Sequence, residues 1–233
     1  ILLSVSVFAQ EICDNGIDDD GDNLIDLNDP DCACSGFGGT ANLSSLIPNS
    51  SFEDNTCCPN SYSQLNCADT WVQASNPTSD YWHTCGQAGS SFDGLATLPI
   101  PDGEGFVGFI NMSGWQEYVG ACLLAPMVAG EEYELNFWFG HTNNSPPIDF
   151  TFFGSPNCAD LPFNGNDCPT GIAGFIELGS ETLGGGTGWE NHTITFTPTV
   201  DINVLVMGGA CGSGGARTYY YLDDLSLESV DQF

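Results

Sequence analysis

The chain has 233 residues, 41% of them hydrophobic and 12% aromatic, enough for one β-domain core and a small accessory segment. Lysine plus arginine total one, Arg217, against 31 acidic residues, for a formal net charge of −30. That charge repels phosphate backbones and anionic membrane surfaces and attracts divalent cations, which excludes nucleic-acid binding.

Residues 1–9 form an apolar run in which Val7 and Ala9 occupy the positions required for signal cleavage after Ala9. They are expected to be the remnant of a secretory signal, with a first β-strand as the alternative. Export suits a chain with eleven cysteines, which belong in an oxidising compartment. No later stretch is apolar and long enough to span a bilayer, so membrane insertion is not expected.

Residues 10–34 follow as an Asp-rich block, with eight aspartates between positions 14 and 31. Read as a calcium loop, the spacing puts Asp18, Asp20 and Asp22 at its first, third and fifth positions. Asp26 falls at the ninth position and Asp29 at the twelfth, and the Leu24 carbonyl adds an oxygen. Alternate spacing turns successive carboxylates toward one hard cation. Asn23 stands where a turn glycine is usual, a mild departure because Asn tolerates positive φ. Asp29 is shorter than the usual bidentate Glu, which implies modest affinity, about 10⁻⁴–10⁻³ M or somewhat tighter. The competing reading is a solvated acidic run. Against it, crowded carboxylates within a Debye length of about 10 Å repel unless neutralised, and Cys13 and Cys32 bracket the block.

Residues 35–45, rich in Gly, Ser and Thr, read as a linker. From Leu46 the texture changes to short alternating runs separated by Gly, Pro, Asn and Asp, the pattern of an all-β domain over 46–233. In Glu132–Gly140, Tyr133, Leu135, Phe137 and Phe139 share one face, and Glu134, Asn136 and Trp138 the other. Strands are also predicted at Gly105–Asn111, Gln116–Leu124, Ile148–Phe153, Ile172–Leu178, His192–Phe196, Ile202–Val206 and Tyr219–Leu227. Gly184–Gly188 and Gly208–Gly215 read as turns. About eight strands with Gly-rich turns predict a two-sheet sandwich of the jelly-roll kind.

Leu46–Glu53 resembles the opening strand of carbohydrate-binding-module sandwiches, and Tyr219–Leu227 their closing strand. Between them, Trp71, Ser79–Cys85, Trp115–Tyr118 and Ala129–Tyr133 fall in an order that resembles gliding-motility-associated bacterial surface proteins. Cys13–Cys32 is similar to the calcium-loop motif at the start of many bacterial surface proteins. The resemblance implies export by the type IX pathway and a second Ca2+ where the first and last strands meet, with Glu53 and Asp223 as ligands. Alternation from Leu225 and Leu227 independently aims Asp223 inward, and a buried carboxylate needs a cation or several donors. Capping of a turn by hydrogen bonds is the alternative for Asp223.

Among the cysteines, Cys158–Cys168 is the favoured pair, with Cys13–Cys32, Cys122–Cys211 and Cys58–Cys85 as further candidates, since spacing does not fix connectivity. His192, in phase with Ile194 and Phe196, reads as a buried structural histidine. No catalytic motif is present, so the chain reads as a non-enzyme. A glycoside hydrolase using carboxylates such as Glu117, Asp149, Glu177 or Glu190 is the lesser alternative. Sugar rings stack on exposed flat aromatics, which makes Trp82, Trp115 and Trp138, with Asn136, the candidate glycan contacts. The rival reading has those rings covering a sheet or pinning loops in a pure adhesion or assembly module of the cell surface, whose partner is a cell-surface protein or a second copy of itself.

Overall fold

The computed structural model describes residues 45–86, 90–91, 94–95, 99–142, 145–186 and 188–230. The signal remnant, the Asp-rich loop and residues 35–44 of the linker lie outside them. Alternation of apolar and polar side chains produces the strands. They are β1 (Trp71–Gln73), β2 (Asp80–His83), β3 (Ser90–Ser91), β4 (Gly94–Leu95), β5 (Gly105–Met112), β6 (Trp115–Gln116) and β7 (Tyr118–Met127). They continue with β8 (Tyr133–His141), β9 (Ile148–Ser155), β10 (Ile176–Leu183), β11 (Trp189–Phe196), β12 (Ile202–Gly209) and β13 (Thr218–Ser229). One antiparallel sheet has the order β1-β7-β12-β9-β10; the other runs β11-β8-β13-β5-β2, with β6 paired to β5. The two form the predicted β-sandwich. Among the described residues no helix is long and apolar enough to cross a membrane.

Phenylalanines fill the space between the sheets. The Phe150 ring lies 5.0 Å from Phe152, 5.3 Å from Phe139, 5.6 Å from Phe109 and 5.8 Å from Phe137, centroid to centroid. These partners come from both sheets, so Phe150 ties one layer to the other. The outer faces are covered as well. Tyr118, Phe153, Val204 and Val206 on the five-stranded sheet pack under Phe163 and Phe175 of the β9–β10 connection. Trp82, Phe106, Tyr219 and Tyr221 form a third cluster on the six-stranded sheet, with Tyr62, Ile100 and Trp189 against it.

Several expectations are corrected. Leu46–Glu53 is a run of turns instead of an opening strand. Pro48 lacks an N–H donor, and Asn49 and Phe52 take φ of 45° and 59°, outside the extended region. What survives is one residue: Leu46 donates its N–H to the Leu227 carbonyl (2.8 Å), and its carbonyl accepts from Leu124 (2.9 Å). Ser45 is buried, and its hydroxyl accepts from Leu227 N–H at 3.1 Å, so the end of the linker belongs to the domain. The strand predicted at Ile172–Leu178 begins at Ile176, because Gly171 and Gly174 turn the chain at φ of 85° and 94°. Gly208 and Gly209 lie in β12 instead of a turn; a Cβ on Gly208 would stand 2.3 Å from the Tyr118 ring. Strands β1 and β2 were not anticipated.

The eight described cysteines pair as Cys57–Cys67, Cys58–Cys85, Cys122–Cys158 and Cys168–Cys211. Cys58–Cys85 matches expectation. Cys158–Cys168 and Cys122–Cys211 do not form, because the β9–β10 connection runs across the sheet. Its start meets Cys122 on β7 and its middle meets the loop after β12, so the partners are exchanged. Cys13–Cys32 lies outside the described residues.

Two carboxylates are buried beside the third cluster. Glu117, 2% exposed, accepts from Ile110 N–H (2.7 Å) and Trp115 Nε1–H (3.3 Å). Burial, followed by the Asp80 charge, pushes its carboxyl up to about 8. Burial also raises Asp80, which accepts from Ser63 N–H and the Tyr219 hydroxyl.

Two outcomes follow for stability. Phe150→Ala should cost about 3–5 kcal/mol in denaturant unfolding, because the residual cavity touches both sheets. Glu117 holds its proton more tightly folded than unfolded, so its contribution is fully present below about pH 4.5 and is lost as pH rises through about 8. Glu117→Gln should flatten that decline between pH 5 and 8; an unchanged pH profile by thermal melting would refute the assignment.

Candidate binding face and acidic centre

Strand β8 builds the site. Its core side carries Tyr133, Leu135, Phe137 and Phe139, all buried, which leaves Glu134, Asn136 and Trp138 half-buried on the outer side. Register extends this row across the sheet. Trp138 lies between Asn191 of β11 and Asp223 of β13, and Asn136 lies between Thr193 and Ser226. Asn136 Nδ2 donates to Glu134 Oε1 at 3.0 Å, and its Oδ1 accepts from the Thr193 hydroxyl. The result is one indole face flanked by amides and hydroxyls on a rigid sheet.

The other two tryptophans are placed differently. Trp82 is fully buried on edge strand β2, with its Nε1–H donated to the Tyr219 hydroxyl at 3.1 Å. It offers no face to a ligand, which corrects the expectation: the edge of the sheet is covered by the third cluster. Trp115 is 41% exposed and donates to Glu117. It pairs with Met112, at the far end of β5 from Phe106. At about 3.4 Å per residue that is about 20 Å along the strand, so Trp115 and Trp138 do not share a platform.

Beside Trp138, strand β13 bulges. Its register against β8 shifts between Asp223 and Ser226, and Asp224 takes a φ of 47°. The bulge turns two consecutive carboxylates toward the loop at 102–105. Asp223, with no exposed surface, accepts from Asp102 N–H at 3.1 Å and from Asp224 N–H at 2.7 Å. Burial, opposed by those two bonds and reinforced by the Asp224 and Asp102 charges, pushes its carboxyl up to about 8. Burial and the Asp102 charge also raise Asp224, an effect that the neighbouring Trp138 side chain opposes.

Glu53 reaches the same loop. Its Oε1 accepts from the N–H groups of Glu104 and Gly105, each at 2.8 Å. Gly103 has a φ of 48°, and a Cβ there would lie 2.2 Å from the Glu53 carboxyl carbon, so only glycine fits. Ser51 donates to Asp102 Oδ2 at 2.5 Å, and Leu225 N–H donates to the Ser50 carbonyl at 2.9 Å. Both carboxylates named from the sequence are therefore anchored to one loop, joined by Asp102 and Asp224, which sequence reading missed. An Asp-Asp pair straddling a bulge carries no signal in the chain, since its register is set by β8.

An all-oxygen donor set around a buried carboxylate suits a hard cation. Among the described residues, however, no three His, Cys, Asp or Glu side chains already converge as a metal cage. Asp18, Asp20, Asp22, Leu24, Asp26 and Asp29 lie outside the described residues. His192 is partly buried instead of fully so, at 19% side-chain exposure, stacked 5.8 Å from Phe137.

No protein-family model and no curated protein matches the chain. Solved structures similar to it include the CBM22-1 xylan-binding domain from Paenibacillus barcinonensis Xyn10C, at 13% identity and TM-score 0.47, covering 79% of this chain and 94% of that one. A family 16 carbohydrate-binding module has 13% identity and TM-score 0.44, covering 79% and 99%. The K1 cleaved adhesin domain of Lys-gingipain from Porphyromonas gingivalis W83 has 13% identity and TM-score 0.43, covering 76% and 95%.

Proposed function

We propose that this chain is a non-catalytic extracellular module that binds glycan on the outer face of β8 and is stabilised by Ca2+. The observation that carries the glycan reading is the placement of Trp138: a half-buried indole on the outer side of the six-stranded sheet, beside Asp224 and ringed by Asn136, Asn191, Thr193 and Ser226. Such a surface stacks a sugar ring and hydrogen-bonds its hydroxyls. Four disulfides among the described residues support an oxidising compartment.

The calcium reading rests on Asp223. Asp223 and Glu53, with Asp102 and Asp224, would hold one ion, and the Asp-rich loop through Asp18, Asp20, Asp22, Leu24, Asp26 and Asp29 a second. The ion would supply positive charge to carboxylates that otherwise keep protons. A structural subunit without a sugar ligand is the second reading. It is favoured by Val128, Val200 and Val230, 44%, 41% and 39% exposed, on loops tied by Gly130–Pro198 and Val230–Glu132 hydrogen bonds.

A glycan array should show defined saccharide binding that weakens about tenfold or more in Trp138→Ala, about 1.4 kcal/mol. Silence across the array together with concentration-dependent self-association selects the structural subunit. For calcium, Asp223 is protonated in the ion-free protein below about pH 8, so binding at pH 7 should release a proton. Titration calorimetry in buffers of different ionisation enthalpy should then give different heats, with affinity rising toward pH 8. Asp223→Asn should remove that buffer dependence while Asp20→Ala leaves it. Heats independent of buffer, or no heat, contradict the Asp223 site.

A further inference from the structure

At the start of β13, the β8–β9 and β12–β13 connections enclose a cleft of about 470 Å³. Thr218 lies in its lining, five residues from Asp223, or about 17 Å along the strand, so the cleft is separate from the Trp138 face. Its size falls within the range of about 300–1,000 Å³ that small-molecule sites occupy.

Asn111 and Tyr220 are buried and form its floor; Pro146, Pro147 and Asp149 line one side, and Ser213 and Ala216 the other. The walls are held in place. The Tyr220 hydroxyl donates to the Pro146 carbonyl at 2.9 Å, and Ala210 N–H donates to the Asp149 carbonyl at 2.7 Å. Asp149 Oδ1 accepts from the Thr182 hydroxyl at 2.6 Å. Asn111 Oδ1 accepts from Gln116 Nε2 at 2.6 Å, and its Nδ2 donates to Ser213 Oγ at 3.4 Å. Cys168–Cys211 ties the loop after β12 to the β9–β10 connection. A cleft fixed in this way loses little entropy on binding.

The lining combines flat proline rings with hydroxyl, amide and carboxylate groups, the mixture that sugar rings and their hydroxyls use. Its lining is balanced in charge, because Arg217 and Asp149 both border the cleft. Asp149 is exposed at the rim, and the chain as a whole carries −30.

We propose that this cleft is a second saccharide site, which takes a single neutral sugar unit at the end of a glycan. A walled cleft admits a chain terminus, whereas the open face at Trp138 lies along a chain.

The test uses saturation-transfer NMR on the whole chain with a panel of neutral monosaccharides, glucuronate serving as the acidic control. Transfer to at least one neutral sugar is expected, weakened about tenfold or more in Ala216→Trp, which fills the cleft from an exposed loop position, and retained in Trp138→Ala. Ser213→Arg, also on the exposed loop, gives the same readout if Ala216→Trp does not fold. Transfer that survives either filling variant, is lost only in Trp138→Ala, favours glucuronate, or is absent for every neutral sugar overturns the site. None of these outcomes depends on whether longer glycans bind the Trp138 face.

Discussion

A carboxylate cut off from water sits in the central strand of the six-stranded sheet, and much of the fold is arranged around it. Asp223 cannot be hydrated, and its two amide donors leave burial dominant, so it keeps a proton up to about pH 8 in the absence of a counter-ion. Those amides belong to Asp102, in the loop before β5, and to Asp224, in the bulge itself. Through Asp102 the chain reaches Ser51 and the opening turns, and through Asp224 it reaches Trp138. One buried group thus links where the domain begins, where it ends and the face proposed to bind sugar. The proposed cation gives that linkage a purpose, because an ion would convert a protonated acid into a ligand and set the indole beside it.

Charge explains why the scaffold is cross-linked so heavily. With one basic side chain, the chain cannot offset its acids by ion pairs, and self-repulsion opposes compaction. Two devices counter it among the described residues. Disulfides restrict the unfolded state, each contributing about 2–4 kcal/mol in the chain-entropy account. Aromatic clusters cover part of both outer faces as well as the interior. Glu117 and Asp80 are taken into the outer layer, where burial raises the proton affinity of both carboxyls, Glu117 to about 8.

Period-2 alternation made the sheets legible. Strands β8, β11, β12 and β13 lie where the sequence places them; β8 and β11 alternate cleanly between core and outer face, while in β12 and β13 the alternation changes phase at a bulge. The outward direction of Trp138 and Asn136 was legible for the same reason. Where local chemistry and tertiary contact compete, reading failed. Leu46–Glu53 has strand-like residues, yet Pro48 and the left-handed Asn49 and Phe52 break it into turns. Trp82 looked like an edge aromatic; its burial comes from Tyr219 and Tyr221, more than a hundred residues away in the chain. Disulfide partners were exchanged because the β9–β10 connection crosses the sheet, a path that spacing does not record. Asp102 and Asp224 went unnoticed because the bulge that presents them is defined only by pairing with β8.

Terbium luminescence excited through tryptophan tests the buried acidic centre most directly. The Asp-rich loop of residues 11–34 contains no aromatic residue, while Trp138 lies directly across from Asp223 in the sheet register. Sensitised emission should therefore appear on adding terbium, fall on competition with calcium, and be lost in Asp223→Asn while surviving Asp20→Ala. Emission that is absent, or that persists unchanged without the Asp223 carboxylate, would contradict the account.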